Sequence, residues 1–268
     1  MKAHTIERFA LATVLFTLAV SASAQVTAIP QIADGGGWQT TFVITNTNAT
    51  NANISLNFFQ ETTAGATQSW SLPLLETSNT QNMTLAGGGT LFLDTPGTAP
   101  TTTQGWAQVQ ADPGVTAYAV FTELVPGRQN QQGTSTAMTS SPRILIPFND
   151  TNGLVTSIAI ANSDSSTATI YVLIQTDAGV ITTPAPLILP AQGHAAFTVP
   201  QQFPGTAGAR GLIELYPLTG NFSALALLFN PTGSFTTAPA YPQTTETPII
   251  GAGSYNGGPT GGGYTYTY

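Results

Sequence analysis

The stretch "IADGGGWQTTFVITNTNAT" (residues 32–50) returns further along the chain as "FNDTNGLVTSIAIANSDSS" (148–166), at a constant offset of 116 positions. Asp34 matches Asp150, Gly37 matches Gly153, Thr40 matches Thr156, Ile44 matches Ile160 and Asn46 matches Asn162. Ala52 and Ile54 extend the match to Ala168 and Ile170. A second echo pairs "GWAQVQADPGVTAYAVFTEL" (105–124) with "GLIELYPLTGNFSALALLFN" (211–230) at an offset of 106. Two copies of one unit of about 100 residues account for both, with an insertion in the first copy near "QETTAGATQSWSLPLLETSN".

Within each copy the apolar residues recur with period two. "TTFVITN" and "ISLNFFQ" in the first half, and "TSIAIAN" and "TIYVLIQT" in the second, are short, rich in β-branched and aromatic residues, and bounded by Gly, Asn, Asp or Pro. About seven such strands per copy predict an all-β chain of two tandem immunoglobulin-like β-sandwich domains. In the motif that opens each copy, Asp34, Gly37, Asp150 and Gly153 read as turn residues. Aspartate bonds its own turn backbone there, and glycine supplies the backbone freedom.

The two ends differ from the middle. Lys2 and Arg8, the apolar run "FALATVLFTLAV" and the small residues Ala22-Ser23-Ala24 form a signal-peptide pattern over 1–24. The expected organisation is a first sandwich over 25–142, a second over 143–241 and a flexible Gly/Tyr-rich tail over 242–268. The tail closes in "YTYTY", where Tyr264, Tyr266 and Tyr268 alternate with strand period and form a candidate assembly strand.

Charge narrows the partners. The chain has 5 Lys and Arg against 12 Asp and Glu, a net charge of −7 and no cysteine. After the leader only Arg128, Arg143 and Arg210 remain as cations, so nucleic acid and anionic membranes are poor partners. The absence of cysteine excludes disulfides, zinc-thiolate sites and a cysteine nucleophile.

The second copy resembles a module of exported acidobacterial-type proteins with tandem Ig-like sandwiches. The residues that carry the resemblance are "IPFNDTNGLVTSIAIANSDSSTATI", "LPAQGHAAFTVPQQFPGTAGARGLIEL" and "NPTGSFTTAPAY"; "IPQIADGGGWQTTFVITNT" and "GWAQVQ" suit a companion version of it. The resemblance implies export and a β-sandwich, and brings no catalytic residue or cofactor with it.

The residues themselves point to no catalytic residue and no cofactor. His194 is the single histidine outside the leader, and its turn context favours a structural role. Asp34 and Asp150 recur in both repeats, which suits a fold position better than one active site. "NDTNG" (149–153) and "NSDSS" (162–166) offer oxygen ligands, without the spacing of an EF-hand loop, so a structural calcium is the one cofactor weighed. Trp38 aligns with Leu154 and Trp106 with Leu212, which suggests buried apolar positions. Trp70 has no counterpart and is the candidate binding platform. The expected function is a non-catalytic exported structural, surface or matrix protein, extracellular or periplasmic, with itself or other matrix proteins as partners. The alternatives are a carbohydrate-binding protein, with polysaccharide as partner, and a carboxylate-dependent glycoside hydrolase.

Overall fold

The computed structural model describes residues 23–62, 67–245 and 247–250. The chain is all-β. Its first half contributes β1 (Gln25–Asp34), β2 (Trp38–Asn46), β3 (Ala52–Glu61), β4 (Thr67–Ser69), β5 (Met83–Leu85), β6 (Thr90–Asp94), β7 (Thr103–Ala111), β8 (Val115–Glu123) and β9 (Gln131–Thr136). Its second half contributes β10 (Arg143–Asn149), β11 (Val155–Asn162), β12 (Ala168–Thr176), β13 (Ile181–Thr182), β14 (Leu187–Leu189), β15 (His194–Thr198), β16 (Arg210–Thr219), β17 (Phe222–Phe229), β18 (Phe235–Ala238) and β19 (Tyr241–Gln243). A single helical turn, α1 (Val199–Gln202), follows β15.

Four antiparallel sheets result. In the first half, β1-β7-β3-β4, with β5 also on β3, belongs with β6-β2-β8-β9. In the second, β13-β12-β16-β10-β19, with β14 on β12, belongs with β15-β11-β17-β18. The strand order corresponds, β10 standing for β1, β11 for β2, β12 for β3, β16 for β7 and β17 for β8, and β19 beside β10 is additional to the second sandwich. Each pair of sheets is an immunoglobulin-like sandwich in architecture, with an apolar core supplied by alternate residues. Ile29, Phe42, Ile44, Ile54 and Leu56 fill the first core; Ile144, Ile146, Ile160, Val172 and Phe222 fill the second. The copies differ where the insertion is read: residues 62–82 join β3 to β5, against 177–186 between β12 and β14.

The repeated motif is held by buried polar side chains. Thr40 and Thr156 lie early in equivalent strands, β2 and β11. The Thr40 hydroxyl donates to Ala33 O and accepts the Ala33 N–H, and Thr156 bonds Asn149 in the same two ways. Asn46 and Asn162, both fully buried, end those strands. The Asn46 side-chain NH2 donates to the carbonyls of Thr50, Leu85 and Ala86, and that of Asn162 to Ser166, Leu189 and Pro190. Their amide oxygens accept from Asn48 and Asp164. A threonine or asparagine buried in this way is favourable only with all its partners made, so the pair recurs as a set.

Gly37 and Gly153 turn the chain at φ of +92° and +76°. Gly105 and Gly211 have another reason to be glycine. A Cβ there would overlap the carbonyl oxygen of Phe59 or of Gln175 on the neighbouring strand, so only glycine lets β7 and β16 lie this close to β3 and β12.

The residues expected to form a tail from 242 begin as ordered structure. β19 includes Pro242 and Gln243 and pairs with β10. Beyond it, the guanidinium of Arg143 donates to Thr245 O and Oγ1, and Glu214 accepts the backbone N–H groups of Ile249 and Ile250. A buried Arg143–Glu214 ion pair, 2.6 Å long, anchors this segment on the outer face of the β16 sheet. Sequence periodicity gives no sign of it, because the segment is held through its backbone and the Thr245 hydroxyl rather than by an alternating apolar pattern. The candidate strand residues Tyr264, Tyr266 and Tyr268 and residues 1–22 of the expected leader lie outside the described residues.

Candidate functional site

The two sandwiches dock through an interface built from outward-facing residues. On β7, Ala107, Val109 and Ala111 point into the first core, which leaves Trp106 on the outer face; on β3, Phe59 is likewise opposite in phase to Phe58. Phe59 and Trp106 are cross-strand partners and stack at 4.6 Å. Both are buried, Trp106 at 0% exposure, with Ala28 and with Ala161 of β11 against them. The indole N–H donates to Gln192 O at 2.9 Å. The buried position inferred for Trp106 is therefore an interface with the other sandwich. Its counterpart Leu212 is only partly buried.

A second contact joins the far end. Trp38 and Phe121 of the first sandwich pack with Phe235 of the second, Trp38 stacking on Phe235 at 5.8 Å and Phe121 at 6.0 Å. Ala159 and Leu225 complete this cluster, so the inner end of one sandwich is closed by the outer face of the other.

His194 lies at the same junction, 3% exposed. Its Nδ1 is 3.0 Å from Glu61 Oε2, and its Nε2 is 3.1 Å from both Pro30 O and Gln31 Oε1. All of these partners belong to the first sandwich. Glu61 also accepts from the Gln104 amide. The expectation of a structural histidine gains its cause here: the ring joins residues more than 130 positions apart.

Between these contacts lies a cleft of about 320 Å³, lined by both sandwiches. Trp38, Phe121, Phe197 and Phe229 give it aromatic walls. Its floor is made of the small side chains of Ser157, Ala159 and Ala196, and its rim of Gln31, Gln104, Thr198 and Gln201. None of the described residues lining it is charged. A second cavity of about 350 Å³ lies against β1, where the Asp164 carboxylate is already bonded to Asn221.

The remaining sequence candidates fall elsewhere. Trp70 is half-buried, packs on the first core and does not line the cleft. Tyr171 and Tyr216, which the sequence did not single out, form a half-buried stacked pair at 5.4 Å on the outer face of the second sandwich. Asp34 and Asp150 are buried apart at the motif turns; Asp150 accepts the Thr156 N–H across its own turn as expected, but Asp34 does not bond its own turn and accepts the N–H of Gly97, 63 positions away, from a loop packed against it. No group of three or more His, Cys, Asp or Glu that could hold a metal ion occurs among the described residues. No described helix is long and apolar enough to cross a membrane.

Burial pushes the Asp150 carboxyl above the ordinary carboxylate range, against the Thr156 N–H bond that pulls it back. A carboxyl whose folded pKa is raised contributes its stability fully below the unfolded value near 3.9, and loses it as pH rises through the folded value. Asp150→Asn keeps an oxygen for the Thr156 N–H and removes the charge. The variant is expected to melt no lower than the parent at about pH 7, with the difference moving in the parent's favour toward about pH 3.5. Thermal melts at both pH values check this; a pH-independent loss would show that the charge itself is needed.

No family model and no curated protein matches the chain. Among solved structures it is similar to the partial N-terminal region of an enterococcal surface protein, at 8% identity, over 87% of this chain and 98% of that one, with a TM-score of 0.20. A score that low carries no argument about this chain.

Proposed function

We propose that the chain is exported and serves, without catalysis, as a structural component of a bacterial surface or extracellular matrix, assembling through its C-terminal tyrosines. The observation that carries this reading is the junction. Trp106, Phe59, His194 and Phe235 join the two repeats over buried surface, which suits a module that transmits load between its ends better than a pair of loosely tethered domains. The leader pattern and the almost lysine-free surface favour export and an extended matrix role. Thr245, Ile249 and Ile250 are anchored on the second sandwich, and the mode of assembly proposed for "YTYTY" is strand addition to a sheet edge of a neighbouring copy.

The test compares the chain from Gln25 to Tyr268 with one ending at Ile250, by light scattering and negative-stain microscopy. Ending at Ile250 keeps the backbone donors of Glu214, which a cut at Tyr241 would remove. Filaments or large oligomers of the longer chain beside a monomeric shorter one are the expected result. Two monodisperse monomers would end the self-assembly reading.

A further inference from the structure

We infer that the cleft between the sandwiches binds the uncharged end of a glycan, one or two neutral sugar rings, a role independent of self-assembly. Its volume of about 320 Å³ lies at the lower end of the range of small-molecule sites. The space exists because Ser157, Ala159 and Ala196 place small side chains where larger ones would have closed the junction. Ala159 pairs with Ala196 and Ser157 with Thr198 across β11 and β15, so the floor is a continuous strip of sheet.

The chemistry of the lining selects the ligand. The side chains of Ser157, Thr198 and Gln201 make no hydrogen bond among the described residues, so their donors and acceptors are unspent. Gln31 and Gln104 each use one end of the amide on the junction network, Gln31 Oε1 at His194 and Gln104 Nε2 at Glu61. The opposite end of each amide remains available. Hydroxyls and amides that both donate and accept match sugar hydroxyls, which do the same. The aromatic walls match the apolar C–H faces of a pyranose ring. An anionic ligand would call for Arg or Lys, and neither lines the cleft. A purely apolar ligand would leave the amides and hydroxyls desolvated and unpaired. Trp70 does not line this space, so the tryptophan of the site is Trp38, whose ring is braced by Phe235 of the other sandwich.

His194 and Glu61 act as positioning residues, since they hold Gln31 and Gln104 at the rim. The experiment titrates the chain from Gln25 to Tyr268 with cellobiose, maltose and chitobiose to about 10 mM, following tryptophan emission and calorimetric heat, with digalacturonic acid as the charged counterpart. At least one neutral disaccharide is expected to saturate and the charged one is not. Gln201 is exposed on α1, so Gln201→Ala leaves the fold intact and is expected to weaken binding about fivefold or more. Ser157→Phe, which fills the floor, is expected to weaken it further. Trp70→Ala and Tyr171→Ala should stay within about twofold of the parent. The chain ending at Ile250 should bind as the full one does, which separates this result from the assembly test. The inference fails if no neutral disaccharide binds, if the charged one binds equally well, if both cleft variants bind like the parent, or if Trp70→Ala abolishes binding.

Discussion

Trp106→Ala is expected to lose about 3–5 kcal/mol, the cost of emptying a fully buried tryptophan site. The ring has 0% exposure, stacks on Phe59 and donates to Gln192 O, so truncation leaves a cavity and an unpaired carbonyl together. Because the cavity opens between the sandwiches, the parent should unfold in urea as one transition and the variant at a lower midpoint, with the two halves separating. Trp106→Leu, the residue the second copy carries at this position, restores volume without the N–H and should recover only part of the loss. A loss below about 1 kcal/mol would mean that the sandwiches do not stabilise each other through this face.

Arg143→Leu is expected to cost a similar amount, about 3–5 kcal/mol, for a different reason. Arg143 and Glu214 are 3% and 0% exposed, and removing the guanidinium leaves a buried carboxylate with only the Ile249 and Ile250 amides and no counter-charge. The double variant Arg143→Leu, Glu214→Leu should regain most of the lost stability, since an apolar pair of suitable volume replaces a desolvated ion pair at little net cost. It should also free residues 245–250, which lose both anchors, so limited proteolysis near Thr245 should accelerate in the double variant even where stability recovers. A double variant no more stable than the single one would show that the pair is not the reason for the loss.

Much of this was legible in the chain. The offset of 116 positions puts Thr40 on Thr156 and Asn46 on Asn162, and the structure makes each pair a matching set of buried hydrogen bonds. Period-two alternation marks the strands because a pleated strand shows successive side chains to opposite faces, a rule written within a few residues. The insertion between β3 and β5 is likewise a local difference in length.

The cleft was not legible, because its lining is drawn from segments between Gln31 and Phe229 that meet only when the sandwiches dock. One signal could have pointed to the junction. In "GWAQVQA" the core residues are Ala107, Val109 and Ala111, so Trp106 shares the parity of Gln108 and Gln110; in "ISLNFFQ" Phe59 shares that of Ser55 and Asn57. Two large aromatics on the polar parity of neighbouring strands mark an outer face that something must cover. Sequence alone determined that this chain is a duplicated β-sandwich with a shared polar motif, because strand alternation and turn chemistry are local. The covering of Trp106 by Ala161, the joining of His194 to Glu61, the burial of Arg143 against Glu214 and the open space beside Trp38 were decided only by tertiary structure, because each depends on surfaces far apart in the chain excluding water from one another.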